Sequence, residues 1–234
     1  KTPAPVLLVD DDRWHDQHTT YRRAMERAGL TYYLWETSVA GGAHTSGPTA
    51  ETLKRYPVVV WWTGYDWYAP VTWEEQTSLE AYLDAGGRLM LSSQDFLYYH
   101  RDDPFTHRYL GVLTYTESVT PTGVVGVAED LIGEGLGPWT LMYPPGYRNW
   151  SDGVVPAQGI GVVFRDQDRR GVALGRRADR EATLFLSFPF EALPSEEQGQ
   201  TLQRSVGWLS WLGRSTFDVE PRSVDVGETV TYTL

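Results

Sequence analysis

Three consecutive carboxylates, Asp10-Asp11-Asp12, follow the apolar run Val6-Leu7-Leu8-Val9. Clustered hard oxygen donors suit Ca²⁺ or Mg²⁺, which makes Asp10, Asp11 and Asp12 the candidate metal site; no other cofactor is expected. A competing reading needs no ion. One aspartate caps a helix starting near Arg13, where a carboxylate favours the positive helix end, and the others are solvated or pair with arginine. The triplet lacks the glycine and distal glutamate of an EF-hand loop, which excludes that motif.

A second chemistry would use Ser92 or Ser93, which end the run Leu89-Met90-Leu91, as a nucleophile. A hydroxyl attacks only when a base takes its proton. All five histidines (His15, His18, His44, His100, His107) precede residue 108. A serine triad would have to recruit His100 or His107 from the segment after the serines, and no Gly-x-Ser-x-Gly signature marks such a site. The pairs Glu74-Glu75 and Glu196-Glu197 fall in first helical turns, where carboxylates serve as caps rather than as glycosidase acid and base.

The third feature is aromatic. Trp61, Trp62, Tyr65, Trp67, Tyr68 and Trp73 fall within thirteen residues, and Tyr98-Tyr99-His100 follows the serines. Strand alternation sends one of Trp61 and Trp62 into the core. Tyr65, Asp66, Trp67 and Tyr68, together with Gln94 and Asp95, lie just beyond strand-like runs and are the candidate ligand-binding residues. Exposed rings there would make a stacking platform for a polysaccharide or an anchor for a protein or neighbouring domain.

The elements that must position these residues are legible in the pattern. Val6–Val9, Thr31–Glu36, Val58–Trp62 and Arg88–Ser93 read as strands, the first and third being short apolar runs of the kind buried on both faces. Between them Trp14, His18, Tyr21, Met25 and Ala28 make one helical stripe ending at Gly29, and Thr49 to Tyr56 makes a short helix. A third helix opens at Thr72 with Glu75 in capping-box spacing and closes at Gly86-Gly87. Strands alternating with helices imply parallel pairing through right-handed crossovers, hence an α/β fold with a doubly wound, mostly parallel sheet. Ligands of such sheets sit beyond the carboxyl ends of the strands, where the acidic triplet, Thr63–Asp66, Ser92–Asp95 and Glu191 converge.

From about 110 to 158 glycine and proline are frequent, and only Val124–Ala128 and Thr140–Tyr143 read as strands, so a β-rich insertion is expected there. Strands return at Gly159–Phe164, Gly171–Leu174 and Thr183–Ser187. Ser195 with Gln198 reads as a second capping box, and Leu202, Val206 and Leu209 line a helix that ends at Gly213. Residues 1–213 thus form the α/β domain. The period-two pattern from Phe217 to Leu234 reads as a linker and the start of a truncated β-sandwich module over 214–234.

Composition removes whole classes of function. The chain has 234 residues, 41% hydrophobic and 22% charged, enough for a substantial core. A formal charge of −11 disfavours nucleic-acid and anionic-membrane partners, which need a positive field. The absence of cysteine excludes disulfides, thiolate metal sites and cysteine nucleophiles. No run of 18 apolar residues is present, so no membrane insertion is expected.

Val6–Asp12 resembles the opening of two doubly wound families. The response-regulator receiver domain fails, because its third strand should end in an aspartate and a lysine should follow a later strand. Here the third strand ends Trp62-Thr63-Gly64, and the only lysines are Lys1 and Lys54. The better resemblance is to the class I glutamine-amidotransferase-like, flavodoxin-like fold. It spans about residues 5 to 213 and is carried by Tyr82–Ser93, similar to the approach to that family's nucleophile elbow, and by Leu184–Ala192, similar to its closing strand. The enzymes of that family use a cysteine, and a histidine with an acid near the last strand; this chain has no cysteine and no histidine there. The order of segments is similar to accessory domains of large secreted bacterial proteins, often peptidases, with an immunoglobulin-like repeat following. The resemblance therefore implies a non-catalytic accessory or interaction domain, secreted or at the cell surface, whose partners include neighbouring domains of the same chain. The alternatives are a hydrolase using a serine or a carboxylate-bound metal at the same edge, and a carbohydrate-binding module using the loop aromatics.

Overall fold

In a computed structural model, residues 5–13, 15, 17–37 and 45–210 are described. Four strands lie parallel, as the sequence predicts: β1 (Val6–Asp10), β2 (Tyr32–Glu36), β3 (Val59–Gly64) and β4 (Arg88–Ser93). Between them run α1 (His18–Ala28), the single turn α2 (Ala50–Leu53) and α3 (Trp73–Asp84). The connection from β4 holds two short helices, α4 (Phe96–His100) and α5 (Pro104–Arg108). The chain continues through β5 (Val112–Thr116), β6 (Gly123–Gly126), β7 (Trp139–Thr140), β8 (Gly153–Pro156), β9 (Gly161–Asp166), β10 (Gly171–Arg177) and β11 (Ala182–Leu186). A 3₁₀ turn, Phe190–Ala192, then leads into α6 (Ser195–Ser210).

Among the described residues, eleven strands belong to one sheet, ordered β2-β1-β3-β4-β11-β10-β9-β6-β7, with β8 also on β10 and β5 on β8. The pairs β1–β2, β1–β3, β3–β4 and β4–β11 are parallel. Every pair beyond β11 is antiparallel, which corrects the expectation of a mostly parallel sheet: the sheet is mixed, parallel on one side of β11 and antiparallel on the other. The reason is local. Polar turns such as Asp166–Arg170 are too short for a helical crossover and can only reverse the chain.

Alternation along the strands sends side chains to both faces. Val6 and Leu8 join Tyr21, Met25, Leu202 and Leu209 in the core under α1 and α6. Leu7 and Val9 join Leu79, Leu83, Phe96 and Phe105 in the core under α3, α4 and α5. Helices therefore cover both faces of the parallel half, as expected of a doubly wound sheet.

The helix ends are built largely as the sequence implies. Gly29 terminates α1 at φ +66°. At α3 the Thr72 hydroxyl accepts from Glu75 N while the Glu75 carboxylate accepts from Thr72 N, a complete capping box. The second expected box is not formed. Gln198 Nε2 instead donates to the carbonyls of Leu193 (2.8 Å) and Glu191 (3.3 Å), tying the 3₁₀ turn to α6. The segment 110–158 holds more strand than expected, because β5 and β8 pair with each other, burying Val112 and Val154 in the core and leaving Leu113 and Val155 exposed. Trp14, the helix stop at Gly213 and the β-rich segment 214–234 lie outside the described residues.

Candidate functional site

The strand order creates the crevice. β2 and β3 lie on opposite sides of β1, so the chain reverses its winding between β1 and β3, and their carboxyl ends flank a topological switch point. Asp10, Gly64, Ser93 and Leu186 end neighbouring strands at this one edge.

The acidic triplet sits there, buried, and all three members are used as acceptors, Asp10 Oδ1 taking Asp12 N at 3.4 Å. Asp11 Oδ2 accepts from Trp61 Nε1 at 3.1 Å, and its Oδ1 accepts from the Thr37 hydroxyl at 3.0 Å. Asp12 Oδ2 accepts from Gln17 N at 2.7 Å, ahead of α1, and from Trp62 Nε1 at 3.4 Å. Adjacent tryptophans point to opposite faces, and so do the adjacent aspartates that receive their indoles. Asp10 faces a different set: its carboxylate, His18 Nδ1 and Glu36 each offer a ligand atom, all within 4.8 Å of one another. Burial, with Asp12 alongside, raises the Asp10 carboxyl to about 8. Among the described residues, the ligand atoms close enough together for one cation are those of Asp10, His18 and Glu36, while Asp11 and Asp12 accept the indole N–H groups.

Ser92 and Ser93 are fully buried. Ser92 Oγ donates to Phe188 O at 3.3 Å and accepts from Phe190 N at 2.9 Å, bridging β4 to the segment after β11. Ser93 Oγ accepts from Thr63 Oγ1 at 2.6 Å. His100 Nε2 meets Pro70 O, while its Nδ1 meets Gln76 Nε2 and Asp103 Oδ2, each at 2.8 Å. His107 Nδ1 meets Val112 O. Among the described residues, no hydrogen bond joins a histidine to either serine, and neither serine has the left-handed backbone of a strained elbow.

Asp66 anchors a loop. Its Oδ2 pairs with Arg13 Nε at 2.6 Å and its Oδ1 accepts from Tyr68 N at 2.9 Å, while Arg13 lies over the Tyr68 ring. Gln94 is a two-point clamp on the segment before β8: Nε2 donates to Arg148 O at 3.3 Å and Oε1 accepts from Trp150 N at 3.2 Å. That segment, irregular in its sequence pattern, supplies Trp150 and Asp152 to the site. Non-glycine residues with left-handed φ gather around this edge: Arg13 at 59°, Ala69 at 49°, Val71 at 58°, Ser118 at 52° and Thr120 at 49°. Such backbone is costly and is concentrated at functional edges.

The expected aromatic platform divides. Tyr65 is 3% exposed, so its ring is not a surface for stacking; it packs on Tyr147 with centroids 4.5 Å apart. Trp67, Tyr68 and Tyr98 are each more than half exposed. Trp67 and Tyr68 stand at 90° to one another, and Tyr98 and Tyr99 at 78°. Crossed rings make walls rather than a flat face. They border an open cavity of about 500 Å³, lined by the rings of Trp67, Tyr98, Tyr99 and Trp150 and by the acids Asp95, Glu117 and Asp152. A second cavity of about 330 Å³ adjoins it beside His15, Tyr65, Tyr147 and Arg148.

Buried acids dominate the electrostatics. Burial raises Asp95 to about 7, opposed in part by the neighbouring Gln94 side chain, with Asp66 and Glu117 adding repulsion. It raises Asp152 to about 8, offset in part by the bond from Ser118 N, with Asp95 and Glu117 again repelling. Glu191, after the last strand, is likewise raised by burial to about 8. Its Oε2 accepts from the Tyr21 hydroxyl at 3.0 Å, whereas its buried Oε1 makes no hydrogen bond and lies where a side chain on Gly64 would have to go. Only a glycine at 64, at φ +55°, leaves room for it. Asp152 and Glu117 carry no motif, and alternation and chain order alone do not place them here; sequence reasoning misses both.

No protein-family model and no curated protein matches the sequence. Solved structures match the fold. A protein described as a GMP synthase subunit, from Thermoplasma acidophilum, is 12% identical, with a TM-score of 0.57 over 87% of this chain and 93% of its own. A glutamine amidotransferase from Thermotoga maritima is 11% identical, with a TM-score of 0.51 over 88% of this chain and 98% of its own. The exo-β-1,4-mannosidase Op5Man5 from Opitutaceae bacterium strain TAV5 is 16% identical, with a TM-score of 0.53 over 90% of this chain but only 36% of its own. The chain thus has the glutamine-amidotransferase-like α/β fold on a mixed sheet.

Proposed function

We propose that this domain is a non-catalytic binding module, an accessory domain of a secreted or cell-surface multidomain protein, that takes its ligand at the carboxyl edge of the parallel strands. The observation that carries the reading is the aromatic-walled cavity of about 500 Å³, of ordinary ligand-site size. It stands beside two serines whose hydroxyls are spent on Phe188, Phe190 and Thr63. A serine nucleophile is activated by a hydrogen-bonded base, and among the described residues neither serine is bonded to one. That a domain of this fold forms about a third of a mannosidase chain supports a role within a larger protein.

Tryptophan emission tests the reading, since Trp67 and Trp150 line the cavity. Cadaverine, N-α-acetyl-lysine methylamide, choline and cellohexaose are the probes. At least one should give a saturable change that Trp67→Ala removes. p-Nitrophenyl acetate should be hydrolysed no faster than by the double variant Ser92→Ala/Ser93→Ala. Saturable binding by none of the probes, or serine-dependent turnover, overturns the reading.

A further inference from the structure

The cavity beyond β3 and β4 is acidic as well as aromatic, and this says what kind of ligand it fits. Four of its lining residues are rings standing as walls: Trp67, Tyr98, Tyr99 and Trp150. Three are carboxylic acids, Asp95, Glu117 and Asp152, and among the described residues no lysine, arginine or histidine lines it. Arg148, over the Trp150 ring at 5.8 Å, lines the adjoining cavity instead. Asp152 is 2% exposed and Asp95 Oδ2 is buried with no hydrogen-bond partner, so the lining holds an acceptor that the protein leaves unsatisfied. A buried acceptor without a donor is costly, and a ligand N–H aimed at it removes that cost.

We infer that this cavity binds a primary alkylammonium group, its N–H donated to Asp95 Oδ2 and its methylene stem lying against Trp67 and Trp150. The inference rests on the binding-module reading and deepens it. Ring faces carry negative potential and attract a cation held over them, and the same faces bury a methylene stem. Mutually repelling acids gain most from a ligand that supplies positive charge. A neutral sugar would be served by an exposed flat ring, which the crossed pairs Trp67–Tyr68 and Tyr98–Tyr99 do not provide. A quaternary ammonium has the charge but no N–H for Asp95. The group could arrive on a free diamine or on a lysine side chain, and the two share this chemistry.

The test is tryptophan-emission titration of the whole chain with cadaverine, N-α-acetyl-lysine methylamide, choline, 1-pentanol and cellohexaose. It is repeated on Trp67→Ala, Tyr98→Ala and Asp95→Asn. The first two truncate exposed rings and leave the core untouched, so they keep the test valid if the Asp95 variant folds poorly. Expected is saturable binding of cadaverine, the lysine derivative or both, weakened about tenfold by Trp67→Ala and by Asp95→Asn, the loss of one desolvated cation contact. Neither pentanol nor cellohexaose should bind. Whichever amine binds more tightly identifies the free or the side-chain source. Choline binding as tightly as cadaverine overturns the role given to the N–H. Cellohexaose binding that Trp67→Ala removes, with the amines silent, overturns the ammonium inference and leaves the binding module standing. Silence from all five probes overturns both.

Discussion

At the scale of single residues, the acidic triplet shows how one sequence feature divides into two physical roles. Asp11 and Asp12 take the indole N–H groups of Trp61 and Trp62, which lie in the core on opposite faces of β3. A buried indole that loses its acceptor costs about 1–3 kcal/mol. Asp11→Ala should therefore destabilise the domain by roughly that amount in urea unfolding. Trp61→Phe in the same chain should make the second substitution cheaper than the sum of the two, because the unpaired donor goes with the ring. Strict additivity would mean that the indole bond contributes little. The triplet is visible in the sequence, but its partners are not: Trp61 and Trp62 are fifty residues away, and only the β1–β3 pairing brings Asp10 opposite Trp62. The same holds for Asp95, a residue singled out for its place after a strand, whose cavity neighbours Glu117 and Asp152 come from the least legible part of the chain.

At the scale of elements, the start of α3 is the most heavily specified junction. Glu75 is buried and its carboxylate accepts hydrogen bonds from two directions. Oε2 takes Thr72 N at 2.7 Å and Thr72 Oγ1 at 2.8 Å, Oε1 takes Gly47 N at 2.7 Å, and Thr72 Oγ1 in turn accepts from Glu75 N. Thr72→Ala should cost about 1 kcal/mol, the usual value of a lost cap. Glu75→Ala should cost clearly more, since it also frees the backbone at Gly47. Equal losses in thermal unfolding would show that the tie to residue 47 is not energetically coupled to the helix. This junction is readable from Thr72 and Glu75 alone because a capping box is a local device. Gln198 misleads for the same reason inverted: its spacing to Ser195 is right, but the carbonyls of Glu191 and Leu193 compete for its amide and win. The buried strands β1, β3 and β4 are equally legible as continuous apolar runs. β5 and β8 are not, because Val112–Leu113 and Val154–Val155 are apolar neighbours of which one is buried and one exposed, so the residue types do not show the alternation.

At the scale of the whole molecule, the consequence of gathering acids at one edge is a pH dependence of unusual sign. Every carboxyl with a resolved shift among the described residues, Asp10, Asp66, Asp95, Asp152 and Glu191, is raised by burial, all but Asp66 to about 7 or 8. In the unfolded chain these groups lose their protons near the ordinary carboxylate range of about 4. Between about pH 4 and pH 8 the folded protein therefore binds more protons than the unfolded one, and stability falls as pH rises through that window. The stabilising contribution is complete below about pH 4 and gone above about pH 8, the reverse of a carboxylate held by a salt bridge. Glu191→Gln isolates one such group: the amide keeps an oxygen for the Tyr21 hydroxyl and cannot ionise. Thermal midpoints measured from about pH 5 to pH 9 should decline for the wild type, each kcal/mol reading as about 2–4 °C in a domain of this size. The decline should be shallower for Glu191→Gln, with the two proteins closest at the acidic end. Parallel curves would mean that Glu191 reaches solvent and ionises normally. A saturating amine ligand should flatten the wild-type curve further at about pH 8–9, because a cation over Asp95 and Asp152 offsets the charge that burial penalises there.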